Sequence, residues 1–124
     1  MFLHIKKKKL TKNFFRNKKL LVCAGSCFMG YNFIHRFLTT FKNASVVNLD
    51  MLTYAGNTDN LLGVPRERYS FVKCDICDTA LAEKLMRNVD FVINFAAETH
   101  VDRSIHSGSD AFIHSNINGA HSLM

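Results

Sequence analysis

Two carboxylates, a glycine-poor turn and one dense polar run are the parts of this sequence whose residue types and spacing could do chemistry. Asp50 ends the apolar run 46–49, twenty residues beyond Gly30. At that separation a carboxylate can accept both ribose hydroxyls of an adenosine, and its charge repels a 2′-phosphate, which favours NAD over NADP. Asp75 follows another apolar run. Asp75-Ile76 could flank an adenine, with the acid accepting its amino group and the isoleucine packing on its ring. The G-x-x-G-x-x-G spacing of a pyrophosphate-binding turn reads Ala24, Cys27 and Gly30 here, with Gly25 beside the first position. The connection 25–29, including Phe28 and Met29, would then lie against the phosphates, at the N-terminus of a helix whose first N–H groups are unpaired. Ala24 adds one methyl group to the turn. Cys27 is expected to crowd the pyrophosphate or open the turn, at a position where glycine also takes backbone angles that a side chain resists.

The polar run is Ala96-Ala97-Glu98-Thr99-His100-Val101-Asp102-Arg103-Ser104. Small residues followed by polar ones at the carboxyl end of a strand suggest a ligand crevice, with Ala96, Ala97 and Thr99 along it. His100, Asp102 and Arg103 read at least as well as a salt-bridge cluster that pins the loop. Cys74-Asp-Ile-Cys77 has the form of a zinc half-site or redox pair, but Cys23 and Cys27, the only partners, are spaced one residue too wide. The four cysteines are therefore read as ordinary thiols of a reducing, cytoplasmic compartment, with no metal site. His4, His35, His106, His114 and His121 lack a metal-ligand spacing and are assigned to surfaces or mixed packing.

Elements must hold these residues together. Short apolar runs at 20–24, 46–49, 69–73 and 91–95 read as buried parallel strands. Phe33, Ile34, Phe37, Leu38 and Phe41 recur at helical spacing, giving an amphipathic helix over 31–41. Asp78 is an N-cap for a helix through Leu81, Leu85 and Met86. Ser107 or Ser109 caps a last helix with Phe112, Ile113 and Ile117 on one side, weakened by Asn116, Asn118 and Gly119. The segment 51–68 reads as loop with a broken helical turn. The order of elements predicts an α/β fold, a Rossmann-like parallel sheet with helices on both faces, incomplete.

The chain has 124 residues and a net charge of +6, enough for one domain. Eight of its sixteen basic residues lie within 1–19, so the remaining eight face ten acids, a net charge of −2. Residues 1–19 are read as a disordered basic leader and 20–124 as a partial NAD-binding domain. That split weakens a reading as a uniformly basic nucleic-acid binder. No apolar run reaches the roughly 18 residues that span a bilayer. The leader and the run 20–29 have the form of a signal peptide, but Gly25 and Gly30 fall where a nucleotide-binding turn needs them, and helix continues directly beyond.

Five stretches carry a resemblance: Val46-Val47-Asn48-Leu49-Asp50, Leu52-Thr-Tyr-Ala-Gly-Asn57, Arg68-Tyr-Ser-Phe-Val-Lys73, Asp75-Ile-Cys-Asp78, and Phe95 through Ile105. Through them residues 20–124 resemble the amino-terminal part of the dTDP-glucose 4,6-dehydratases, of the NAD-dependent epimerase/dehydratase type. The resemblance implies that Gly30 and the turn around Cys27 lie at the pyrophosphate and that Asp50 holds the adenosine ribose. It also implies that Asp75 and Ile76 flank the adenine and that Ala96, Ala97 and Thr99 line the cofactor toward its nicotinamide. This chain has Met51 where the family has lysine, Cys74 where it has glycine, and a shorter loop after Asn57.

The family's lyase reaction oxidises the sugar at C4, eliminates water across C5 and C6, and returns the hydride at C6. Its Thr-Asp-Glu and Tyr-x-x-x-Lys groups and its sugar-nucleotide domain come after the region matched by this chain. The expectation is thus a cofactor-binding portion, inactive alone. A dTDP-sugar partner would require the missing region, and full-length members resemble homodimers. A weak stand-alone NAD-binding module and a non-catalytic remnant with only structural or association properties stay open as alternatives.

Overall fold

The computed structural model describes residues 13–53, 56–98 and 109–124. Four strands, β1 (Lys19–Cys23), β2 (Ser45–Asp50), β3 (Tyr69–Lys73) and β4 (Phe91–Asn94), form one parallel sheet in the order β3-β2-β1-β4. All four were legible as short apolar runs. The register pairs Leu20 with Val46 and with Phe91, and Asp50 with Lys73. Every strand therefore points its carboxyl end to the same edge.

Alternation along β1 and β2 assigns their side chains to two cores. Leu20, Val22 and Val46 pack with Ile34, Phe37 and Leu38 of helix α1 (Phe28–Thr40). Leu21, Cys23, Val47 and Leu49 pack on the opposite face with Ile76, and with the partly buried Leu85 and Met86 of helix α2 (Thr79–Met86). Both faces are covered, as the uninterrupted apolar runs require.

α1 begins three residues earlier than its apolar spacing suggested, because the Cys27 side chain caps it directly from the turn. Its carboxyl end is held by Arg68, whose guanidinium donates to the carbonyls of Leu38, Phe41 and Ala44 at 3.1 Å each. The carbonyls of Leu38 and of the C-cap Phe41 are among those a helix leaves without intrahelical partners, and Ala44 ties the same side chain to the connection before β2. α2 starts as expected, with Asp78 accepting the Leu81 N–H at 3.1 Å. The loop after β2 carries two short 3-10 turns, Thr58–Leu61 and Arg66–Arg68.

Two boundaries differ from the sequence reading. Residues 13–19 belong to the folded unit. Phe15 packs edge-on to Phe37 and Phe91, Lys18 pairs with Asp90 at 3.0 Å, and Lys19 opens β1. The aromatic pair Phe14 and Phe15 supplies apolar area that the surrounding charges masked in composition. The rest of the leader, residues 1–12, lies outside the described residues. The last helical segment, α3 (residues 110–122), is α-helical over Asp110–Phe112, π-helical over Ile113–Gly119 and α-helical again over Ala120–Ser122. The wider π turn rotates the face that meets the sheet. Ile113 and Ile117, expected on the apolar side, are 44% and 61% exposed, and Gly119 is buried instead. A Cβ on Gly119 would lie 2.6 Å from Cγ2 of Ile76, so only glycine permits this approach.

Candidate functional site

The turn from β1 to α1 is built by close approach and one buried polar hub. Ala24 sits at φ 56, the left-handed region that favours glycine. A Cβ on Gly30 would collide with the Ala24 carbonyl oxygen, which explains why this glycine of the three is kept. Gly25 donates its N–H to Oδ1 of Asn48 at 2.9 Å. Asn48 is fully buried in the middle of β2 and donates through Nδ2 to Ser26 Oγ (3.1 Å) and to the Tyr69 hydroxyl (3.0 Å). Asn48, Ser26 and Tyr69 were not singled out from sequence. The available signal was a polar residue inside an apolar strand, since such a group is buried only with partners. Burial pushes the Tyr69 phenol up, the Asn48 hydrogen bond pulls it down, and the Asp50 charge adds to the rise.

Asp50 stands at the end of β2 with 6% exposure. Its Oδ2 accepts the Ser26 N–H and its Oδ1 accepts the Leu52 N–H, both at 2.8 Å. The carboxylate is thereby fixed against the turn, with lone pairs left for hydroxyl donors. Behind it, burial and then the Asp50 charge push the Cys23 thiol up to about 12.

Cys27 caps α1 with φ −74, an angle open to any residue, so the expected backbone conflict does not arise there. The turn is not forced open. Its Sγ accepts the Gly30 N–H at 3.4 Å, taking a first-turn amide that would otherwise face an anion.

A cleft of about 360 Å³ runs along the carboxyl ends of the strands, where β1 lies between β2 and β4. This is the crevice where open parallel sheets take ligands. Ala24, Cys27, Phe28, Met29, Asp50, Asp75, Ile76, Ala96 and Ala97 all line it, while Gly25 and Gly30 do not and instead pack closely within the turn. Thr99, with His100, Asp102 and Arg103, lies outside the described residues. Met51, Cys74 and Glu98 also face the cleft. The Glu98 backbone is clamped to α3 by Asn116, which accepts its N–H at 2.8 Å and donates to its carbonyl at 3.0 Å.

His114 enters the cleft from α3, whereas the sequence left it on a surface or in mixed packing. Its Nε2 meets Oδ2 of Asp75 at 2.8 Å, and Oδ1 of Asp75 accepts the Cys77 N–H at 2.9 Å. Partial burial works to raise the Asp75 carboxyl, but the Cys77 hydrogen bond and the bond and charge of His114 together hold it below the ordinary value. Burial pushes the Cys77 thiol up, and the neighbouring Asp75 adds to that. All four cysteines are free thiols.

A family model described as GDP-mannose 4,6 dehydratase matches residues 21–124. The chain belongs to this family. It falls within the NAD-dependent epimerase/dehydratase superfamily, whose fold its sheet order and two-faced packing share. Among similar proteins, the low-salt glycan biosynthesis protein Agl12 of Haloferax volcanii is 44% identical over 106 residues, covering 85% of this chain and 34% of that protein. A dTDP-glucose 4,6-dehydratase of Mycolicibacterium smegmatis is 41% identical over 106 residues, covering 86% of this chain and 31% of that protein. The crystal structure of DesIV, a dTDP-glucose 4,6-dehydratase from Streptomyces venezuelae with NAD and TYD bound, superposes with a TM-score of 0.77 at 41% identity. It covers 85% of this chain and 34% of its own. The chain thus spans about a third of the length of the relatives it matches. Among the described residues no helix is long and apolar enough to cross a membrane.

Proposed function

We propose that residues 20–124 are the NAD-binding portion of a nucleotide-sugar dehydratase of the dTDP-glucose 4,6-dehydratase type. The observation that carries this reading is Asp50, a buried carboxylate fixed at 2.8 Å to the amide of Ser26 in the β1–α1 turn and facing the cleft that Ile76 and Asp75 close on the other side. The residues present fit an adenine dinucleotide. Asp50 can accept ribose hydroxyls, the N-terminal amides of α1 can face a pyrophosphate, and Ile76 and Asp75 can frame an adenine. Ala96 and Ala97 leave room toward the nicotinamide.

The dinucleotide supplies the hydride chemistry of such an enzyme, and the role of this chain is to bind and orient it. Asp50 sets the ribose and selects against a 2′-phosphate. The small residues after β4 keep the path to the reacting ring open. Catalytic side chains for a dTDP-sugar, and the sugar-nucleotide partner itself, belong to the remaining length of the relatives. The expected outcome is that the 124-residue polypeptide assayed alone forms no 4-keto-6-deoxy sugar.

The Cys27 thiol lies where a phosphate oxygen would accept the Gly30 N–H, so the side chain must turn aside on binding and affinity is lowered. Calorimetry tests the reading. NAD should bind more tightly than NADP, and Asp50→Ala should abolish the difference. No heat at millimolar NAD would overturn it.

A further inference from the structure

One donor atom from each of Asp75, Cys77 and His114 lies within 4.8 Å of the others, and the three side chains come from two separate elements. Asp75 and Cys77 follow β3, and His114 is carried by the π segment of α3. We propose that these three residues form a binding site for a thiophilic divalent cation of the Zn2+ class. One sulfur, one imidazole nitrogen and one carboxylate oxygen make a mixed set that suits zinc, and three protein ligands leave a fourth position for water or a bound molecule.

Hydrogen bonds already hold the three side chains together. The Cys77 N–H donates to Oδ1 of Asp75 at 2.9 Å, which orients the carboxylate. The His114 ring lies 2.8 Å from Oδ2 of that carboxylate, and the His114 carbonyl accepts the Cys77 thiol at 3.2 Å. Tetrahedral zinc holds sulfur and nitrogen at about 2.3 and 2.0 Å, so its ligand atoms stand roughly 3.3–3.8 Å apart. Side-chain movements of about an ångström would bring the set to those separations, closing the wider pairs of the 4.8 Å spread and opening the 2.8 Å His114–Asp75 contact. His114 is half-exposed and free of core packing, so it can make that movement.

The π turn adds an independent sign. Such turns within α-helices are frequent at functional sites. Here the turn brings His114 over Asp75 while seating Gly119 on Ile76. On binding, the Cys77 sulfur forms a bond to the metal and releases its proton to solvent. His114 coordinates as neutral imidazole, giving up its hydrogen bond to Asp75 for a shared metal. The sequence reading set aside the Cys74–Cys77 spacing and assigned no metal site. The geometry points instead to Cys77 with a histidine 37 residues away. The site stands without the nucleotide reading, and its test uses the metal alone.

Titration of the full chain with Co2+, kept reduced by a non-thiol reagent, is the experiment. The expected result is a one-to-one complex with a near-ultraviolet thiolate-to-cobalt band that added Zn2+ bleaches. Cys77→Ser should remove the band, His114→Ala should weaken binding at least about tenfold, and Cys74→Ser should leave both intact. A wild-type chain that gives no thiolate band would overturn the proposal whether or not any variant folds. A band that survives Cys77→Ser and vanishes in Cys74→Ser or Cys27→Ser would overturn it equally.

Discussion

Ala24 and Cys27 occupy two of the three turn positions that the fingerprint gives to glycine, and they differ in what they cost. Ala24 is the strained one, since its φ of 56 puts Cβ against the following carbonyl. Ala24→Gly should stabilise the chain by about 0.5–1 kcal/mol, the relief of left-handed strain less the added freedom of the unfolded glycine. Urea unfolding would check it as a raised midpoint at unchanged slope. Cys27 is unstrained and useful to the fold, because its Sγ serves as the N-cap of α1. Cys27→Gly should cost only a few tenths of a kcal/mol of stability, as glycine is a tolerable cap. The same change should tighten NAD several-fold by freeing the Gly30 amide, which calorimetry of the variant against wild type would measure. An unchanged affinity would show that the thiol does not obstruct the phosphates.

At the scale of elements, the β1–α1 turn is held less by its glycines than by β2. Asn48 satisfies Gly25, Ser26 and Tyr69 at once from a position with no water access. Asn48→Leu matches the apolar neighbours of the strand but leaves the buried Gly25 amide and Ser26 hydroxyl, and the part-buried Tyr69 hydroxyl, without this partner. The expected loss is about 2–4 kcal/mol, read by thermal or urea unfolding. A near-neutral result would mean that the turn finds other partners. The strands and α2 were legible because they rest on local signals, short apolar runs and a local cap. The start of α1 was not, because cysteine is no habitual N-cap. The face of α3 was misread because a π turn shifts the period on which sequence spacing relies.

Across the whole molecule, the Asp75–His114 pair ties the end of β3 to α3 over 39 residues of chain. The folded Asp75 carboxyl sits below its ordinary value, so between the two values the unfolded chain binds the additional proton. The tie therefore contributes fully above the unfolded carboxyl value of about 3.9 and is lost as pH falls through the lower folded value. His114→Ala should show a smaller drop in melting temperature than wild type on acidification through that range. Identical acid profiles would show that the pair contributes nothing to stability.

By itself the sequence determined the parallel strands, the two-sided cores, the carboxylate at the end of β2 and the epimerase/dehydratase superfamily. These follow from residue type and short-range periodicity, which survive in one dimension. Asp50, Asp75 and Ile76 were legible for the same reason, as each ends or follows a readable strand. Only the tertiary structure decided that Cys27 caps a helix, that Asn48 carries the turn and that Phe15 belongs to the core. It alone brought His114 to Asp75 and Cys77. The Cys27 cap is local but made by a residue type that seldom caps; the others are contacts between residues about twenty or more positions apart, set by sheet order and helix register, and no local pattern encodes them.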